Sequence, residues 1–460
     1  MEKTDYLSGI KSSADVFSWI ARFINFETGL KNRNFRLDRM EALAELAGHP
    51  ERKAPVIHVA GSKGKGTVTG MIAAMLEEEG FGAARYSSPD VNDKRERICR
   101  GGRFFDEDIY VEAGKELIGL EEKFKSSGKN RRLPFDTDGE DGAPTFFELV
   151  TIYFFLCARK GACNVMAVET GMGGRLDATN IVDPLVSVIT LIEKEHTEYL
   201  GDTVAAIAGE KAGIIKKGKP LILAEQRPEA LKVFRERARC MEAPLFYLPD
   251  MVSAGEIRVT KEGSLFTLRD TGAGILSSPL ELFTPIPGEV QARNAGLAVL
   301  AAKTAFPSLK ETSIRGGLAR FSLPARFERI GEAPEFIIDG AHTARSVELC
   351  VQTFTRLYGE GGILLFGCAA GKDAQSMAKI TEPHFSRIII TTPGTFKASY
   401  PRQVFDVFQQ AGNGEKVLLM EDTAAAVDQA LALGREQGLP VLGTGSFYLA
   451  GEIRRRVKHF

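Results

Sequence analysis

A glycine-rich loop joins a short β-branched run to a helix-period run over residues 56–80, VIHVAGSKGKGTVTGMIAAMLEEEG. A nucleotide-binding P-loop reads G-x-x-x-x-G-K-[ST], because its backbone N–H groups cradle phosphates, its lysine neutralises them and its hydroxyl binds magnesium. Here an extra glycine separates the lysine from the threonine, but the components of a phosphate loop all precede a helix N-terminus. They are Gly61, Gly64, Gly66, Lys65 and Thr67. The pattern indicates phosphate binding, and the alternative is a tight strand-to-helix turn with a solvated lysine.

Further hydrophobic runs rich in β-branched residues alternate with helix-period segments along the chain. They start at residues 164, 185, 220, 336, 362, 387, 416 and 440. This alternation is typical of parallel sheets covered by helices. The helix after the glycine loop should pack on the sheet through one apolar stripe, formed by Val68, Met71, Ile72, Met75 and Leu76. The sequence therefore predicts an α/β fold.

The size and charge of the chain limit its organisation and its partners. A chain of 460 residues exceeds the roughly 250–300 residues at which single cores stop growing, so we expect two domains. Lys and Arg number 59 against 60 Asp and Glu, and this balance favours small-molecule partners over nucleic acid or a membrane surface. Residues 121–143 are charged, glycine-rich and aperiodic, which predicts an exposed insertion.

Targeting signals and cysteine spacing bear on where the protein works. The amino terminus lacks the apolar segment of a signal peptide, and the longest apolar run, 149–158, is shorter than the roughly 18 residues of a membrane span. The six cysteines show no metal-ligand spacing and fit reduced core residues. We therefore expect a cytoplasmic protein, with no membrane partner.

Two polar residues follow predicted strands downstream of the loop. Glu169 ends the strand that begins at residue 164, and His196 comes soon after the strand that begins at residue 185. If these strands lie parallel to the first, Thr67, Glu169 and His196 meet at the carboxyl ends of neighbouring strands, where open α/β sheets bind ligands. They would then hold Mg²⁺, and the imidazole, an unusual ligand for that ion, suggests a second metal position. The alternatives are an ion pair between Glu169 and Arg175, and a turn-capping role for His196.

Ordered motifs along most of the chain resemble those of the bacterial folylpolyglutamate synthase and dihydrofolate synthase enzymes of the Mur ligase superfamily. They are HVAGSKGKGT, SSP, ERI, TFFE, ETGMGGRLDATN, EHTEYLG, GEKAGIIKKG, VQARNA, LPARFE, DGAH and GTGSFYL. The resemblance implies an ATP-binding domain with a P-loop-type, mostly parallel sheet flanked by helices, followed by a smaller Rossmann-like α/β domain. The expected boundaries are 1–322 and 326–460, which agree with a turn-rich segment at 321–336.

The resemblance also implies how the nucleotide and its metal ions are bound. Gly64, Lys65, Gly66 and Thr67 would bind the ATP phosphates, with Gly61 in the same loop. Two Mg²⁺ ions are expected, the first on Thr67 and Glu169 and the second on His196.

The resemblance assigns a modified lysine as well. The family lysine matching Lys211 is carbamylated, which converts a cation into an anionic oxygen ligand. From the sequence alone, Lys211 is a helix-surface residue beside Glu210.

Other residues that resemble nucleotide-contacting positions lie further along the chain. Gln291 and Asn294 resemble the family's adenine-side pair, for which helix capping is the alternative. Arg326, Asp339 and His342 resemble residues of the second domain that reach the nucleotide when the domains close. Arg326 suits phosphate because its planar fork offers bidentate donors, although a hinge arginine is more often a salt-bridging surface residue.

The acceptor side of the site is also implied by resemblance. Thr145 and Asp177 match positions that line the pterin pocket, and Asp177 alternatively caps the turn before Thr179. Arg97 lies in a segment that resembles an acceptor-site loop and would steer carboxylates. Ser446 lies in a matching late loop.

The implied reaction is ATP-dependent addition of L-glutamate to dihydropteroate or a reduced folate through an acyl phosphate, with release of ADP and phosphate. Catalysis is expected to depend on Lys65, His196, Lys211 and Arg326, because preorganised cations matter most when charge builds on phosphoryl oxygens. A monomer is expected. The rival functions are a Mur-type ligase for another carboxylate, and an ATP-binding homologue that has lost ligation.

The chain departs from the family pattern at several positions near the expected site. The usual Thr-Asn of the loop is replaced by Ser62 and Lys63, and Asp90 stands where a histidine follows SSP. The remaining departures are Glu195 for Asp, Ala325 for Gly and Thr343 for Asn. None removes a proposed metal ligand or the phosphate lysine.

Overall fold

The computed structural model of the chain describes residues 9–28, 36–127 and 142–457. Its first sheet has eight strands in the order β4-β3-β2-β5-β1-β6-β7-β8. They are β1 (Val56–Ala60), β2 (Ala83–Tyr86), β3 (Ile98–Arg100), β4 (Arg103–Phe104), β5 (Val165–Glu169), β6 (Val186–Ile189), β7 (Leu221–Leu223) and β8 (Leu245–Tyr247). The pairs from β2 to β8 are parallel, whereas β3 and β4 extend the edge in antiparallel orientation.

A small antiparallel sheet follows the first sheet in the chain and was not predicted from the sequence. Its order is β11-β10-β9, and its strands are β9 (Val252–Thr260), β10 (Gly263–Asp270) and β11 (Leu280–Thr284). Apolar residues of this sheet share a core with the helix that follows the glycine loop.

Helices surround these two sheets. They are α1 (Ser13–Ile20), α2 (Asp38–Leu46), α3 (Lys65–Glu78), α4 (Glu107–Ser126), α5 (Phe146–Lys160), α6 (Thr197–Leu200), α7 (Val204–Lys211), α8 (Pro228–Cys240), α9 (Leu248–Met251), α10 (Glu289–Ala305) and α11 (Glu311–Arg320). The predicted stripe of α3 is fully buried. The predicted insertion at 121–143 is wrong at its start, because α4 continues to Ser126 and buries Phe124. Residues 128–141 of that segment lie outside the described residues.

The second large sheet is formed by the last part of the chain. Its order is β12-β13-β17-β14-β15-β16, with β12 (Glu328–Glu332), β13 (Glu335–Ile338), β14 (Gly362–Phe366), β15 (Phe385–Ile390), β16 (Val417–Leu419) and β17 (Val441–Thr444). All its pairs are parallel except β12 with β13. Its helices are α12 (Ala344–Tyr358), α13 (Ala374–Thr381), α14 (Pro401–Ala411), α15 (Thr423–Gln437) and α16 (Phe447–Val457).

The α/β prediction is confirmed at the level of single strands. Each of the hydrophobic runs identified in the sequence contains a strand of one of the two large sheets. Strand β1 is buried at all five positions, as expected for a parallel strand covered on both faces. Even His58 is accommodated, because its Nε2 forms a 2.8 Å hydrogen bond with the Thr179 hydroxyl.

Candidate active site

The glycine loop connects β1 to α3 in a conformation that requires two of its glycines. Gly61 and Gly64 have φ angles of 146° and 86°, a region that residues with a Cβ rarely adopt. A Cβ on Gly61 would lie 1.8 Å from the Thr190 hydroxyl oxygen, and one on Gly64 would lie 2.8 Å from Asn294 Oδ1. No side chain caps the N-terminus of α3, so its first N–H groups are available to an anion.

Two lysines share an acceptor at the start of this loop. Lys65 Nζ donates to the Gly61 carbonyl at 3.1 Å, and Lys211 Nζ donates to the same oxygen at 2.7 Å. Lys211 is 1% exposed and forms an ion pair with Glu195 at 3.0 Å. The helix-surface alternative for Lys211 is therefore wrong. Burial lowers the pKa of Lys211 to about 8, with the charge of Glu195 acting in the opposite direction.

Glu169 ends β5 directly opposite the glycine loop. It pairs in register with Val59, and a Cβ on Gly66 would lie 3.3 Å from its Oε2. Its only hydrogen bond in the described part of the chain comes from the Ser88 N–H at 3.2 Å. Burial raises its pKa, partly offset by the charge of Lys65. The alternative pairing with Arg175 is wrong, because Arg175 bonds to Glu210 at 2.9 Å.

His196 lies on the loop between β6 and α6 in a left-handed conformation with φ of 49°. Its backbone carbonyl accepts from Tyr199 and Leu200, but its side chain forms no capping bond. The side chain is exposed at the protein surface, and partial desolvation together with the charge of Lys65 lowers its pKa, against the opposing charge of Glu195. The imidazole is therefore neutral at neutral pH, which is the form that binds metals.

Glu169 lies beside Gly66 in the first turn of α3, and the charge of Lys65 influences the pKa of both Glu169 and His196. Thr67 lies in the first turn of that helix and is 3% exposed. Hydroxyl and carboxylate oxygens are ligands that Mg²⁺ accepts, and a buried carboxylate with one hydrogen bond has the remaining acceptor capacity to bind a cation. Within the described ranges, no group of three or more His, Cys, Asp or Glu side chains has metal-binding geometry.

The predicted adenine-side pair lies on α10, next to the glycine loop. Asn294 Nδ2 donates to Gln291 Oε1 at 3.2 Å, and Asn294 Oδ1 faces Gly64. The N-cap of α10 is Gly288, and no side chain caps this helix. The helix-capping alternative is therefore wrong.

Arg326 follows α11 on the connection to the second large sheet. Its flanking residues Ala325 and Phe327 have positive φ angles of 54° and 46°, which are costly for residues other than glycine. The Arg326 guanidinium lies 4.2 Å from the Phe447 ring centroid and forms no ion pair within the described residues. Burial lowers its pKa, while the charges of Asp339 and Glu169 raise it. The salt-bridging surface alternative for Arg326 is wrong.

Asp339, His342 and Ser446 are held by backbone contacts at the carboxyl end of the second sheet. Asp339 accepts from the N–H groups of Phe327 and Ala341, both at 2.8 Å. His342 Nδ1 lies 2.9 Å from the Gly340 carbonyl, so Nδ1 carries the proton and Nε2 is left to accept. Burial lowers the pKa of His342 to about 3.

Ser446 is 4% exposed and accepts from Tyr448 N–H at 3.1 Å. The next residue on this loop, Phe447, lies under the Arg326 guanidinium, and its ring centroid is 5.6 Å from that of His342 at an interplanar angle of 60°. One loop therefore brings Ser446 close to the residues predicted to reach the nucleotide.

Thr145 and Asp177, predicted for the pterin side, are engaged in local caps. Thr145 forms a capping box with Glu148 at the start of α5. Asp177 accepts from the N–H groups of Met172 at 2.9 Å and Thr179 at 3.0 Å. The capping alternative for Asp177 is therefore confirmed.

Arg97 is 1% exposed, and each of its three guanidinium nitrogens donates a hydrogen bond within the chain. It forms a bidentate pair with Glu27 at 2.9 and 2.7 Å and bonds to Asp90 at 2.5 Å. The residue that departs from the family histidine, Asp90, therefore provides a carboxylate for Arg97 and also pairs with Lys94 at 3.0 Å.

Two charged residues near this site had no role in the sequence prediction. Glu195 pairs with Lys211, and the charges of Lys211 and Lys65 outweigh burial and lower its pKa to about 2. Lys372 follows β14 in the second sheet and was not singled out. Its signal in the sequence is its place in GCAAGKD after a predicted strand, since parallel sheets bind ligands at the carboxyl ends of strands.

Comparison with known proteins places these features in a family. The Mur ligase middle domain matches residues 125–302, and the Mur ligase glutamate ligase domain matches residues 325–447. The dihydrofolate synthase/folylpolyglutamate synthase of Bacillus subtilis is 31% identical over 96% of this chain and 99% of its own length. The folylpolyglutamate synthase of Lacticaseibacillus casei is 29% identical over 91% of this chain and 93% of its own length.

A solved structure has the same architecture. The Mycobacterium tuberculosis folylpolyglutamate synthase complexed with ADP and AMPPCP superposes with a TM-score of 0.82 and 27% identity, covering 92% of this chain and 95% of that one. The order of motifs, the two large sheets and the similarity over nearly the full length all indicate the same family. The chain belongs to the folylpolyglutamate synthase/dihydrofolate synthase family of the Mur ligase superfamily.

Proposed function

We propose that this chain is an ATP-dependent ligase that joins L-glutamate to the carboxylate of dihydropteroate or a reduced folate. The observation that carries the proposal is that residues from both large sheets and their connection lie near the N-terminus of α3, whose free N–H groups can bind an anion. Lys65 and Glu169 come from the first sheet, and Arg326, on the connection to the second sheet, lies close enough for its charge to affect Glu169. Family membership and the nucleotide complexes of a similar structure support the same function.

The proposed chemistry explains why the site is rich in cations. A carboxylate oxygen attacks the γ-phosphorus of ATP, the bond to the β–γ bridging oxygen breaks, and its electron pair leaves with ADP. The glutamate amine then attacks the acyl carbon, the carbon–oxygen bond breaks, and phosphate leaves with that electron pair while the amine loses a proton. Negative charge accumulates on phosphoryl oxygens and then on the tetrahedral carbonyl oxygen, and Lys65 and Arg326 are placed to stabilise it.

Magnesium is proposed as the cofactor of this site. Thr67 and Glu169 would hold one ion and His196 a second, because they offer a hydroxyl, a carboxylate with unfilled acceptor capacity and a neutral imidazole. Bound Mg²⁺ would neutralise charge on the phosphate oxygens.

Carbamylation of Lys211 is supported by the environment of its amine. An amine must be neutral to react with carbon dioxide, and burial lowers the pKa of Lys211 to about 8. The modification would replace the attraction between Lys211 and Glu195 by repulsion between two anions. We therefore propose that carbamylation accompanies cation binding and does not precede it.

For the acceptor, we propose that Thr145, Asp177, Arg97 and Ser446 shape the site. Asp177 is held rigidly by its two backbone N–H donors, which suits recognition of a fixed donor pattern on a pterin ring. Arg97 would act through the loop that carries Asp90, because its three guanidinium nitrogens already bond to Glu27 and Asp90. The gap between the two matched domains supports the proposed boundaries, 1–322 and 326–460.

The experiment that tests the function measures ADP release from the purified chain with ATP, Mg²⁺ and L-glutamate. Dihydropteroate and tetrahydrofolate are compared as acceptors, with a UDP-muramoyl substrate as the alternative carboxylate. Acceptor-dependent ADP release with dihydropteroate or tetrahydrofolate is expected. ATP binding without acceptor-dependent ADP release would overturn the proposal and favour a homologue that has lost ligation.

A further inference from the structure

His58 is the one polar residue of strand β1, and its side chain lies on the face of the first sheet that is turned away from α3. The strand reads VIHVA and is buried at every position. Ile57 and Val59 pack in the core that contains α3, whereas Val56 belongs to the core on the opposite face. Because successive side chains of a strand alternate between faces, His58 lies on the same face as Val56. It therefore points away from the nucleotide loop, although its strand leads directly into that loop.

Three side chains form a hydrogen-bonded chain from His58 to Asp177. The His58 Nε2 lies 2.8 Å from the Thr179 hydroxyl oxygen, and that oxygen lies 2.5 Å from Asp177 Oδ1. Asp177 also accepts the Thr179 N–H on Oδ1 at 3.0 Å and the Met172 N–H on Oδ2 at 2.9 Å. His58 and Thr179 are 0% exposed and Asp177 is 5% exposed. The chain therefore connects β1 to a residue that we assign to the acceptor site.

The donors and acceptors of this chain determine where each proton lies. Burial raises the pKa of Asp177, while its hydrogen bonds from Thr179 and Met172 oppose that shift, and N–H donors on both oxygens favour the carboxylate. A carboxylate only accepts hydrogen bonds, so the Thr179 hydroxyl proton is donated to Asp177. The hydroxyl oxygen must then accept from His58, which requires the neutral tautomer with its proton on Nε2. Burial lowers the pKa of His58 to about 3, so the neutral form is present at neutral pH.

This tautomer leaves a lone pair on the buried Nδ1 of His58. Nδ1 has no hydrogen-bond partner within the described parts of the chain. Most buried polar atoms in proteins are paired, and an unpaired one lowers stability. An apolar side chain at this position would avoid that loss, as the other residues of β1 do. The histidine is instead explained by its Nε2, which donates to Thr179 and keeps the hydroxyl proton directed at Asp177.

We propose that His58 is a positioning residue for the acceptor, because through Thr179 it orients the Asp177 carboxylate toward N–H groups of a pterin ring. The inference rests on the proposed function and adds two residues to its acceptor site, neither of which touches the substrate. Asp177 Oδ2 accepts one backbone hydrogen bond, from Met172, and a carboxylate oxygen has two lone pairs, so Oδ2 has capacity for the ligand. A chain of hydrogen bonds that runs in one direction also polarises its members, which strengthens the bonds that hold the carboxylate.

Acceptor binding compared with nucleotide binding separates this role from a structural one. His58→Leu and His58→Asn both remove the donor to Thr179, the first with an apolar side chain and the second with an amide too short to reach it. His58→Gln places an amide N–H at about the position of Nε2 and should restore the chain. Ser187→Ala is the matched control, because Ser187 pairs in register with His58 on β6 and its buried hydroxyl bonds to the Ile214 carbonyl at 2.8 Å. Calorimetry of the full chain would measure the affinities for dihydropteroate, tetrahydrofolate and AMPPCP.

We expect His58→Leu and His58→Asn to weaken binding of both pterin ligands about tenfold, while AMPPCP affinity stays within about twofold of wild type. Dihydropteroate and tetrahydrofolate share the amino and carbonyl edge of the pterin, so the loss should be the same for both. His58→Gln and Ser187→Ala should bind all three ligands within about twofold of wild type. In a Thr179→Val background, His58→Leu should cause no further loss, because the donor no longer has its acceptor.

A purely structural role for His58 would give a different pattern. Equal losses of AMPPCP and acceptor affinity would place the effect in β1 and the glycine loop that follows it. Full additivity of His58→Leu with Thr179→Val, normal acceptor affinity in both donor-removing variants, or a loss confined to tetrahydrofolate would also overturn the inference. Thermal unfolding identifies misfolded variants, and if His58→Leu does not fold, His58→Asn compared with His58→Gln decides the outcome.

The binding measurement fails independently of the proposed function. If wild type binds dihydropteroate with the expected dependence on His58 but releases no ADP, the ligase proposal fails and the positioning role holds. If wild type ligates glutamate but the donor-removing variants bind both acceptors normally, the positioning role fails and the ligase proposal holds.

Discussion

Replacing Glu169 by glutamine should separate the stability of this protein from its activity. Glu169 is 3% exposed, and its carboxylate accepts one hydrogen bond, from Ser88 at 3.2 Å, although a carboxylate offers about four acceptor sites. Burial raises its pKa despite the nearby charge of Lys65. Without a bound cation, the charged form is therefore an unfavourable feature of the folded state.

The size of the effect follows from removing that charge. Glutamine keeps the shape and an acceptor for the Ser88 N–H but has no charge to desolvate. We expect the free energy of unfolding of the ligand-free protein to rise by about 1 kcal/mol, the lower end of the gain when buried charges are replaced. This corresponds to a midpoint increase of about 2 °C or less, because 1 kcal/mol gives about 2–4 °C for 150–250 residues and the first domain is larger. Turnover should fall by about 10²–10³-fold, as for loss of one preorganised electrostatic group.

The pH dependence has a defined sign. Because the folded-state pKa of Glu169 is raised above its unfolded-state value, ionisation destabilises the fold fully above the folded-state pKa, and this penalty declines as the pH falls from that pKa to the unfolded-state value. The difference in melting temperature between Glu169→Gln and wild type should therefore shrink as the pH is lowered. Thermal unfolding by differential scanning fluorimetry over a pH series would measure it.

Replacing Glu148 by glutamine is a control for which we expect the opposite change in stability. Glu148 is also buried, but it pairs with Arg39 at 3.1 Å and accepts from the Thr145 N–H at 2.7 Å. Glu148→Gln should lower the melting temperature, because it leaves Arg39 without its partner. The reasoning is refuted if Glu169→Gln is less stable than wild type at neutral pH, or if it keeps normal turnover.

Four further predictions concern single residues. Lys65→Ala should lower turnover with an increase of about 2.7–4 kcal/mol in the activation free energy; near-normal ADP release would contradict its role. Carbamylation of Lys211, followed by intact-protein mass spectrometry, should increase as the pH rises through about 8, because only the neutral amine reacts. Ala325→Gly should raise the melting temperature, since it relieves about 1 kcal/mol of strain at a φ of 54°; an unchanged or lower midpoint would contradict this. Gly61→Ala should abolish ATP binding measured by calorimetry, because its Cβ would lie 1.8 Å from the Thr190 hydroxyl oxygen.

The sequence predicted the parts of the fold that depend on local patterns. Buried parallel strands give continuous β-branched runs, and each of these runs contains a strand. The antiparallel sheet was not predicted, although the sequence contains a signal for it. The strands VSAGEIRVT and GSLFTLRD are joined by the short turn at Lys261 and Glu262. Gly263 directly follows this turn, and two strand-like runs separated by a few residues that include glycine predict a hairpin.

The contacts that the sequence could not reveal join residues far apart in the chain. Arg97 meets Glu27 from 70 residues away, and Lys211 meets the Gly61 carbonyl from 150 residues away. The local periodicity of the sequence does not indicate which distant residues will pair. The same limit explains why Lys211 was interpreted as a surface residue, since its short helix carries no strong apolar stripe, and why Lys372 was overlooked.

Charge at the ends of the two large sheets also makes one lysine sensitive to ionic strength. After burial, the charge of Lys63 is the largest influence that lowers the pKa of Lys372, on the loop after β14, and salt screens such repulsion over about 8 Å at 0.15 M and about 3 Å at 1 M. The Lys372 ammonium should therefore lose its proton at a higher pH in concentrated sodium chloride than in dilute buffer. A neutral glutamine at position 63 should remove most of that difference.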